Sequence, residues 1–562
     1  MVVAIVLLGL IITNSLSTTP ASPTPFDQPK LAGQVQTGGN ETRPSILGNG
    51  TNNSFSPNAL GTSPALLFAK TIINQKPIST LPVTAAVRPS VRSKNLLMRN
   101  NEIALLVPGT TTTDVGFFDT VTGVLKRQFP TTLKKTTRGE YNITGSEGRS
   151  LRPGEFASSW TEDNHLHFGS DGDFSEQADY DALTGATRTK YDRVSGANMR
   201  SLITVADGNP WAFMGYWGHV STAKHVSIFP TDGQLTAKSL LLPGGDTNLG
   251  YFLNLPTILV SGPSLFTIGP QRKTANGLGY PGIQVRSAEM KGMTPTAANQ
   301  AFKPNVGWFY QDTTTSMNLD TDSFSAIKPF CLTDKFTLVL SQPHDANGYA
   351  TVTSPIQLTA LNKNTGALQF KSPLTITSAG IAVGQGMLNW APQLACVPGT
   401  NEYAAVFLPE PAFGGQAGMT NPDASANPRL TVFDVNNKRV LWTYQYPKGT
   451  TNLAKAYGMA ADTKMFVAGN HIYIAYLRTA SGPQLPTYIT QNEYTLVVKM
   501  DRFSLLTGAK NSYSYPIPIK GNTSQLNDFA IVNGIAYVLA TIRDVRTPLP
   551  YTGGAQVLMA IK

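Results

Sequence analysis

Residues 117–129 read FFDTVTGVLKRQF: apolar positions lead to an Asp, a Thr-Gly pair follows, and an alternating stretch ends on an aromatic residue. Alternation of period two puts one face of a strand into a core. Gly supplies the positive φ of a tight turn, so the stretch predicts a β-hairpin. The pattern returns in DYDALTGATRTKY (179–191), IFPTDGQLTAKSL (228–240) and ALNKNTGALQFKS (360–372). VFDVNNKRVLWTY (432–444) and KMDRFSLLTGAKNSY (499–513) are looser copies, and IQVRSAEMKGM (283–293) is a weaker one. The turns are expected near Gly123, Gly185, Gly233, Gly292, Gly366, Asn437 and Gly508.

Further strands precede several hairpins, as in NEIALLVPG (101–109), NEYAAVFLP (401–409), HIYIAYLRT (471–479) and GIAYVLATI (534–542). Each unit thus holds roughly four strands in about 50 to 75 residues, which predicts the blades of an all-β propeller. The chain stops at AQVLMAIK (555–562), which matches the strand before a turn and lacks the strand after it. An apolar edge of that kind needs a partner. ALLFAKTII (65–73) is otherwise unpaired, so it is expected to complete the last sheet and close the ring. Seven turns and this composite unit give eight four-stranded blades, with seven as the alternative.

The repeat phrase, in copies such as ALNKNTGALQF and VFDVNNKRVLW, resembles that of quinoprotein-like propellers, which include pyrroloquinoline quinone dehydrogenases and outer-membrane assembly scaffolds. The resemblance covers residues 96–562 and implies a fold rather than an activity. The dehydrogenases of that family carry a vicinal Cys pair, a calcium site and an Asp base. No Cys-Cys pair occurs here, and of their repeated aromatic docking motif only Trp442 stands at the matching hairpin position.

The N-terminus divides from the repeats by composition. An apolar run from Val2 to Ile12 predicts an export signal over residues 1–20, or a retained apolar segment. Residues 21–62 are rich in Pro, Ser, Thr, Asn and Gly and read as an arm or linker. Residues 63–562 form the propeller, with 63–95 as closing strand and lead-in. Charged residues make up only 14% of the chain, so Thr, Ser, Asn and Gln must carry solubility, as in many extracellular β-proteins. The net charge of +10 is scattered beyond LKKTTR (133–138), which argues against nucleic acid as a partner. Cys331 and Cys396 are the only cysteines, and an exported chain would pair them. Sequons at Asn40, Asn49, Asn52, Asn142 and Asn522 permit glycosylation.

Candidate chemistry is sparse. GSDGDFSEQADYD (169–181) brings Asp171, Asp173, Glu176, Asp179 and Asp181 together; a solvated acidic loop is the first reading and a calcium site of these oxygen donors the second, and no other cofactor is expected. Asn318, Asp320 and Asp322 form a second such group. His165 and His167, two apart on a strand, would face one side. Trp211 and Trp217 could stack on a glycan or peptide, or fill a core. Glu162, Asp163 or Asp528 could supply an acid–base pair across a channel. There is no GxSxG, HExxH or phosphate loop.

These features lead to the expectation of an exported, non-enzymatic propeller at the cell surface or outside the cell. It would contact copies of itself or surface proteins and glycans, as a filament subunit in one version. The alternatives are a secreted quinone-dependent oxidoreductase or carbohydrate-active enzyme, and a glycan- or peptide-binding module.

Overall fold

The structure is a computed structural model. It describes residues 54–73, 92–93, 96–108, 113–131, 155–160, 165–170, 177–191, 200–206, 209–215, 225–230, 238–241, 257–261, 264–270, 283–289, 294–295, 301–303, 306–316, 330–343, 356–374, 393–408, 428–447, 463–480, 494–521, 523–543 and 555–562. Among the described residues every regular element is a strand, and the strands form eight sheets. Sheets 1 to 7 are four-stranded antiparallel meanders spanning 97–130, 155–191, 200–241, 257–312, 330–373, 393–445 and 463–521. Short additional strands extend sheets 2, 3, 5 and 7.

Sheet 8 is made from both ends of the described chain. Strands Thr523–Val532, Ile535–Arg543 and Ala555–Ile561 are completed by Leu66–Ile73, which runs antiparallel to Ala555–Ile561. Ala65 and Lys562 exchange both backbone hydrogen bonds, at 2.7 and 2.9 Å. The expected closing strand is therefore in place.

The first strands of successive sheets touch one another in order from sheet 1 to sheet 8. Sheet 8 returns to the start of sheet 1 through Asp528, whose Oδ2 accepts the Leu96 N–H at 2.7 Å. The result is a β-propeller with first strands lining the axis and fourth strands on the outside. Sequence follows position. Middle strands are covered on both faces and read as apolar runs, as in Glu102–Pro108, which is buried from Ile103 to Val107. Outer strands such as Leu125–Pro130 and Leu368–Pro373 alternate between half-buried and exposed.

Residues 54–64, at the end of the expected arm, form a strap. Phe55–Ser56 pairs in parallel with the first strand of sheet 7. The strap then crosses the turns of sheets 7 and 8, where a Cβ on Gly469 would stand 3.0 Å from Ala59 Cβ. Sheet 7 grips it outward: Arg502, Tyr513 and Tyr515 donate to the carbonyls of Gly61, Thr62 and Pro64. One apolar core runs through sheets 7, 8 and 1, with Phe68, Leu105, Val498 and Val538 all in it. The seam between the chain ends is thus sealed by burial as well as by pairing.

The propeller has two unlike ends. At one, the first strand is joined to the second and the third to the fourth, by tight turns such as 100–101, 120–124, 469–470 and 505–509 and, in sheet 4, by the longer 290–306. At the other arrive the longer connections, such as 131–154 between sheets 1 and 2 and 409–428 within sheet 6.

Candidate functional site

The repeated turn is built by one polar side chain. Asp119 Oδ1 accepts the N–H groups of Val121 and Thr122 at 3.0 and 2.9 Å, and the Thr122 hydroxyl at 3.0 Å. Asp181 repeats all three bonds on Leu183 and Thr184, and Asn362 repeats the two backbone bonds on Asn364 and Thr365. These bonds outweigh burial and hold the Asp119 carboxyl below the ordinary carboxylate range. Gly123 closes the turn at φ 65°, and the Phe68 ring lies so near that a Cβ there would stand 2.6 Å away.

That close approach is a joint, and it recurs. Trp442, on the outer strand of sheet 6, lies on Gly508 of sheet 7, and its Nε1 donates to Leu505 O at 2.9 Å. Trp308, on the outer strand of sheet 4, lies on Gly366 of sheet 5 and donates to Lys363 O at 2.9 Å. The expectation that Trp442 alone occupies such a position is thus corrected. Trp308 was hidden because residues 290–306 separate its strand from the preceding one. Elsewhere ring and donor come from two residues. At Gly123 the ring is Phe68 and the donor is Tyr537, whose hydroxyl reaches Thr120 O at 3.1 Å. At Gly185 the ring is Phe129 and the donor is Arg127, which reaches Ala182 O at 2.5 Å.

The buried polar groups near the axis stitch sheets together. Gln393 accepts from Met465 N at 2.7 Å and donates to Thr463 O at 2.6 Å, tying sheet 6 to sheet 7. Glu402, wholly buried, accepts from the Thr333 hydroxyl at 3.0 Å and from Lys335 N at 3.1 Å, tying sheet 6 to sheet 5. Burial pushes the Glu402 carboxyl up and the nearby Lys363 ammonium down. Beside them Cys331 and Cys396 form a disulfide between the first strands of the same two sheets. Farther out, on the third strand of sheet 7, buried Asp501 accepts from Ser512, Lys510 and Tyr476 of its own sheet, at 2.5, 3.1 and 3.3 Å. Lys510 sits 4.8 Å from the Tyr444 ring centroid and 4.9 Å from that of Tyr446. Burial raises the Tyr446 and Tyr476 hydroxyls far above the ordinary tyrosine value.

The residues singled out in sequence fall as follows. Asp171, Asp173, Glu176, Glu162, Asp163, Asn318, Asp320, Asp322 and Trp217 lie outside the described residues, as do all five sequons. Asp179 lies on Gln177–Asp181, paired with His167 and Thr189, while Asp181 caps its turn. His165 and His167 share strand His165–Ser170, and Trp211 lies on Asn209–Gly215 between Thr204 and Pro230. Asp528 is a stitch at the closure. Sequence reasoning missed Gln393, Glu402, Asp501 and Tyr537. The one available signal was a polar residue in an otherwise apolar strand, as in QLACV for Gln393.

The fold family implies a quinone and a calcium ion. The cysteines are 65 residues apart and bonded between two sheets, so they cannot form a vicinal pair. Among the described residues no three His, Cys, Asp or Glu side chains are grouped to hold a metal ion. The described residues therefore supply neither the Cys pair nor an acidic metal cluster.

No protein-family model matches the chain, and no curated protein matches it in sequence. Solved structures do. A quinohemoprotein alcohol dehydrogenase from Pseudomonas putida HK5 is 11% identical with a TM-score of 0.46, over 92% of this chain and 80% of that one. The quinohemoprotein alcohol dehydrogenase from Comamonas testosteroni is 11% identical with a TM-score of 0.45, over 93% and 80%. A europium-containing methanol dehydrogenase is 10% identical with a TM-score of 0.47, over 93% and 98%. The fold is that of a quinoprotein-like propeller. The expectation of a non-enzymatic surface or filament protein is not met among these neighbours, which are themselves dehydrogenases, the class of the quinone-dependent alternative. At such identities the likeness itself extends to the fold alone.

Proposed function

We propose that the chain is an oxidoreductase built on a quinoprotein-like propeller, working at the end opposite the turns that join first to second and third to fourth strands. The observation that carries this reading is the pair of tryptophan joints, Trp308 on Gly366 and Trp442 on Gly508, each with its N–H on the next turn's carbonyl. The aromatic docking motif is the feature that the resemblance to quinone dehydrogenases implies beyond a bare propeller. The wall supports the same placement by exclusion: Gln393, Glu402 and Asp528 are already engaged between sheets. The Cys331–Cys396 disulfide supports an exported chain in an oxidising compartment.

The test is to incubate the full chain with pyrroloquinoline quinone and calcium. Quinone absorbance in the protein peak, calcium by elemental analysis and dye reduction with a panel of primary alcohols are then measured. Retained quinone with alcohol-dependent dye reduction is the expected result. Absence of both quinone uptake and turnover overturns the reading.

A further inference from the structure

Nine large apolar side chains stand exposed among the described residues, and all nine lie at the tight-turn end of the propeller. Six sheets contribute, through Val121 in sheet 1, Leu183 in sheet 2, Val306 in sheet 4, Leu368 in sheet 5, Leu506 in sheet 7 and Leu67 in sheet 8. Each sits in, or one or two residues beyond, the connection from the third strand to the fourth; in sheet 8 the two chain ends meet at that place. Single exposed leucines are ordinary on any surface. Confinement to equivalent positions of six sheets is not, because equivalent turns of a propeller lie at one level around its axis.

We propose that this end of the propeller docks on an anionic lipid surface. A ring of tips at one level matches a plane, whereas protein partners usually meet a compact patch with aromatic or Arg anchors in pockets. The tips here are Val and Leu. Leu183 is 73% exposed and Val121 54%, so they project rather than line a groove. They are held ready, since Asp119 and Asp181 fix their turns. Charge agrees with the choice of lipid. Lys126, Lys335, Lys438 and Arg439 are exposed at this end, with Asp334 the one exposed acid among the described residues; Lys126 and Arg439 lie 3.7 and 3.9 Å from the less exposed Asp119 and Asp434, which leaves Lys335 and Lys438 to carry most of the attraction. Apolar insertion and cation attraction add in interfacial binding. In sheet 5 the position matching Val121 is Asn364, whose N–H still donates to the Asn362 side chain, so the turn accepts a polar residue there.

This proposal is independent of the oxidoreductase reading. Its test is co-sedimentation of the full chain with vesicles of phosphatidylcholine, with and without phosphatidylglycerol, for the natural protein and for Val121→Asn/Leu183→Asn/Leu506→Asn. The natural protein is expected to pellet with the anionic vesicles. The triple variant should partition about tenfold more weakly, at an unchanged melting temperature. If the natural protein stays in the supernatant, or the variant binds equally well, the proposal is overturned. It is also overturned if sedimentation shows a dimer that the variant dissolves and no vesicle binding, because the face then joins two copies of this chain.

Discussion

At the joint between sheets 6 and 7 one side chain, Trp442, covers the turn glycine and fills the turn carbonyl. At the joint between sheets 8 and 1 the same two contacts are divided: Phe68 covers Gly123, and Tyr537 fills Thr120 O. Phe68 and Tyr537 come from opposite ends of the chain. The difference teaches that the turn, not the residue docking on it, is the invariant part of the joint. A bare glycine face and an unfilled carbonyl can be satisfied by any ring and any donor that the neighbouring sheet brings near. The same holds at Gly185, where Phe129 and Arg127 share the work.

The comparison breaks most severely at the closure. Removing residues 54–73 exposes the edge of Ala555–Ile561 and takes Leu60 and Phe68 out of the shared core, and the expected outcome is loss of cooperative unfolding by circular dichroism. Trp442→Ala removes ring and donor together and should cost about 3–5 kcal/mol in urea unfolding. At the divided joint the two parts can be separated. Phe68→Ala should cost nearly as much as Trp442→Ala, while Tyr537→Phe should cost about 1 kcal/mol. Equal losses from Phe68→Ala and Tyr537→Phe would contradict the division of labour.

The joint between sheets 5 and 6 is held covalently, so Cys331→Ala/Cys396→Ala should cost about 2–5 kcal/mol, seen as a lower melting temperature. Its buried carboxyl gives a pH signature. Burial raises Glu402 above its unfolded value, so between the two values the native state keeps a proton that the unfolded chain has lost. Stability from this group therefore falls as pH rises through that window, and Glu402→Gln should flatten the slope. The smallest effect belongs to the turn. Asp119 is lowered on folding, so its contribution is present above the unfolded value and fades as pH falls through the folded one. Asp119→Asn, which mimics Asn362, should change stability near neutral pH by no more than about 0.5 kcal/mol and remove that acid window.

Much of this architecture could be read beforehand. HIYIAYLRT is the second strand of sheet 7 residue for residue, and the turns at Gly123, Gly185, Gly366 and Gly508 all have positive φ. The looser copy shifted by one: Lys438, not Asn437, takes φ 55°. Gly233 and Gly292 fall outside the described residues. The joints were less legible, because the partners of a joint lie far apart in sequence. Trp308 is 55 residues from Lys363, and Tyr537 is 417 from Thr120. The carboxylates were least legible of all. Asp528 looks the same in sequence whether it serves a reaction or holds Leu96 N.

By itself the sequence determined the strands, the turns and the need to close a ring, since alternation and positive-φ glycines act over a few residues. Only the tertiary structure decided which ring meets which glycine, which buried carboxylates are occupied, and that every described exposed aliphatic tip stands at one end. Those outcomes depend on contacts between sheets, and local pattern carries no record of which sheets will be neighbours.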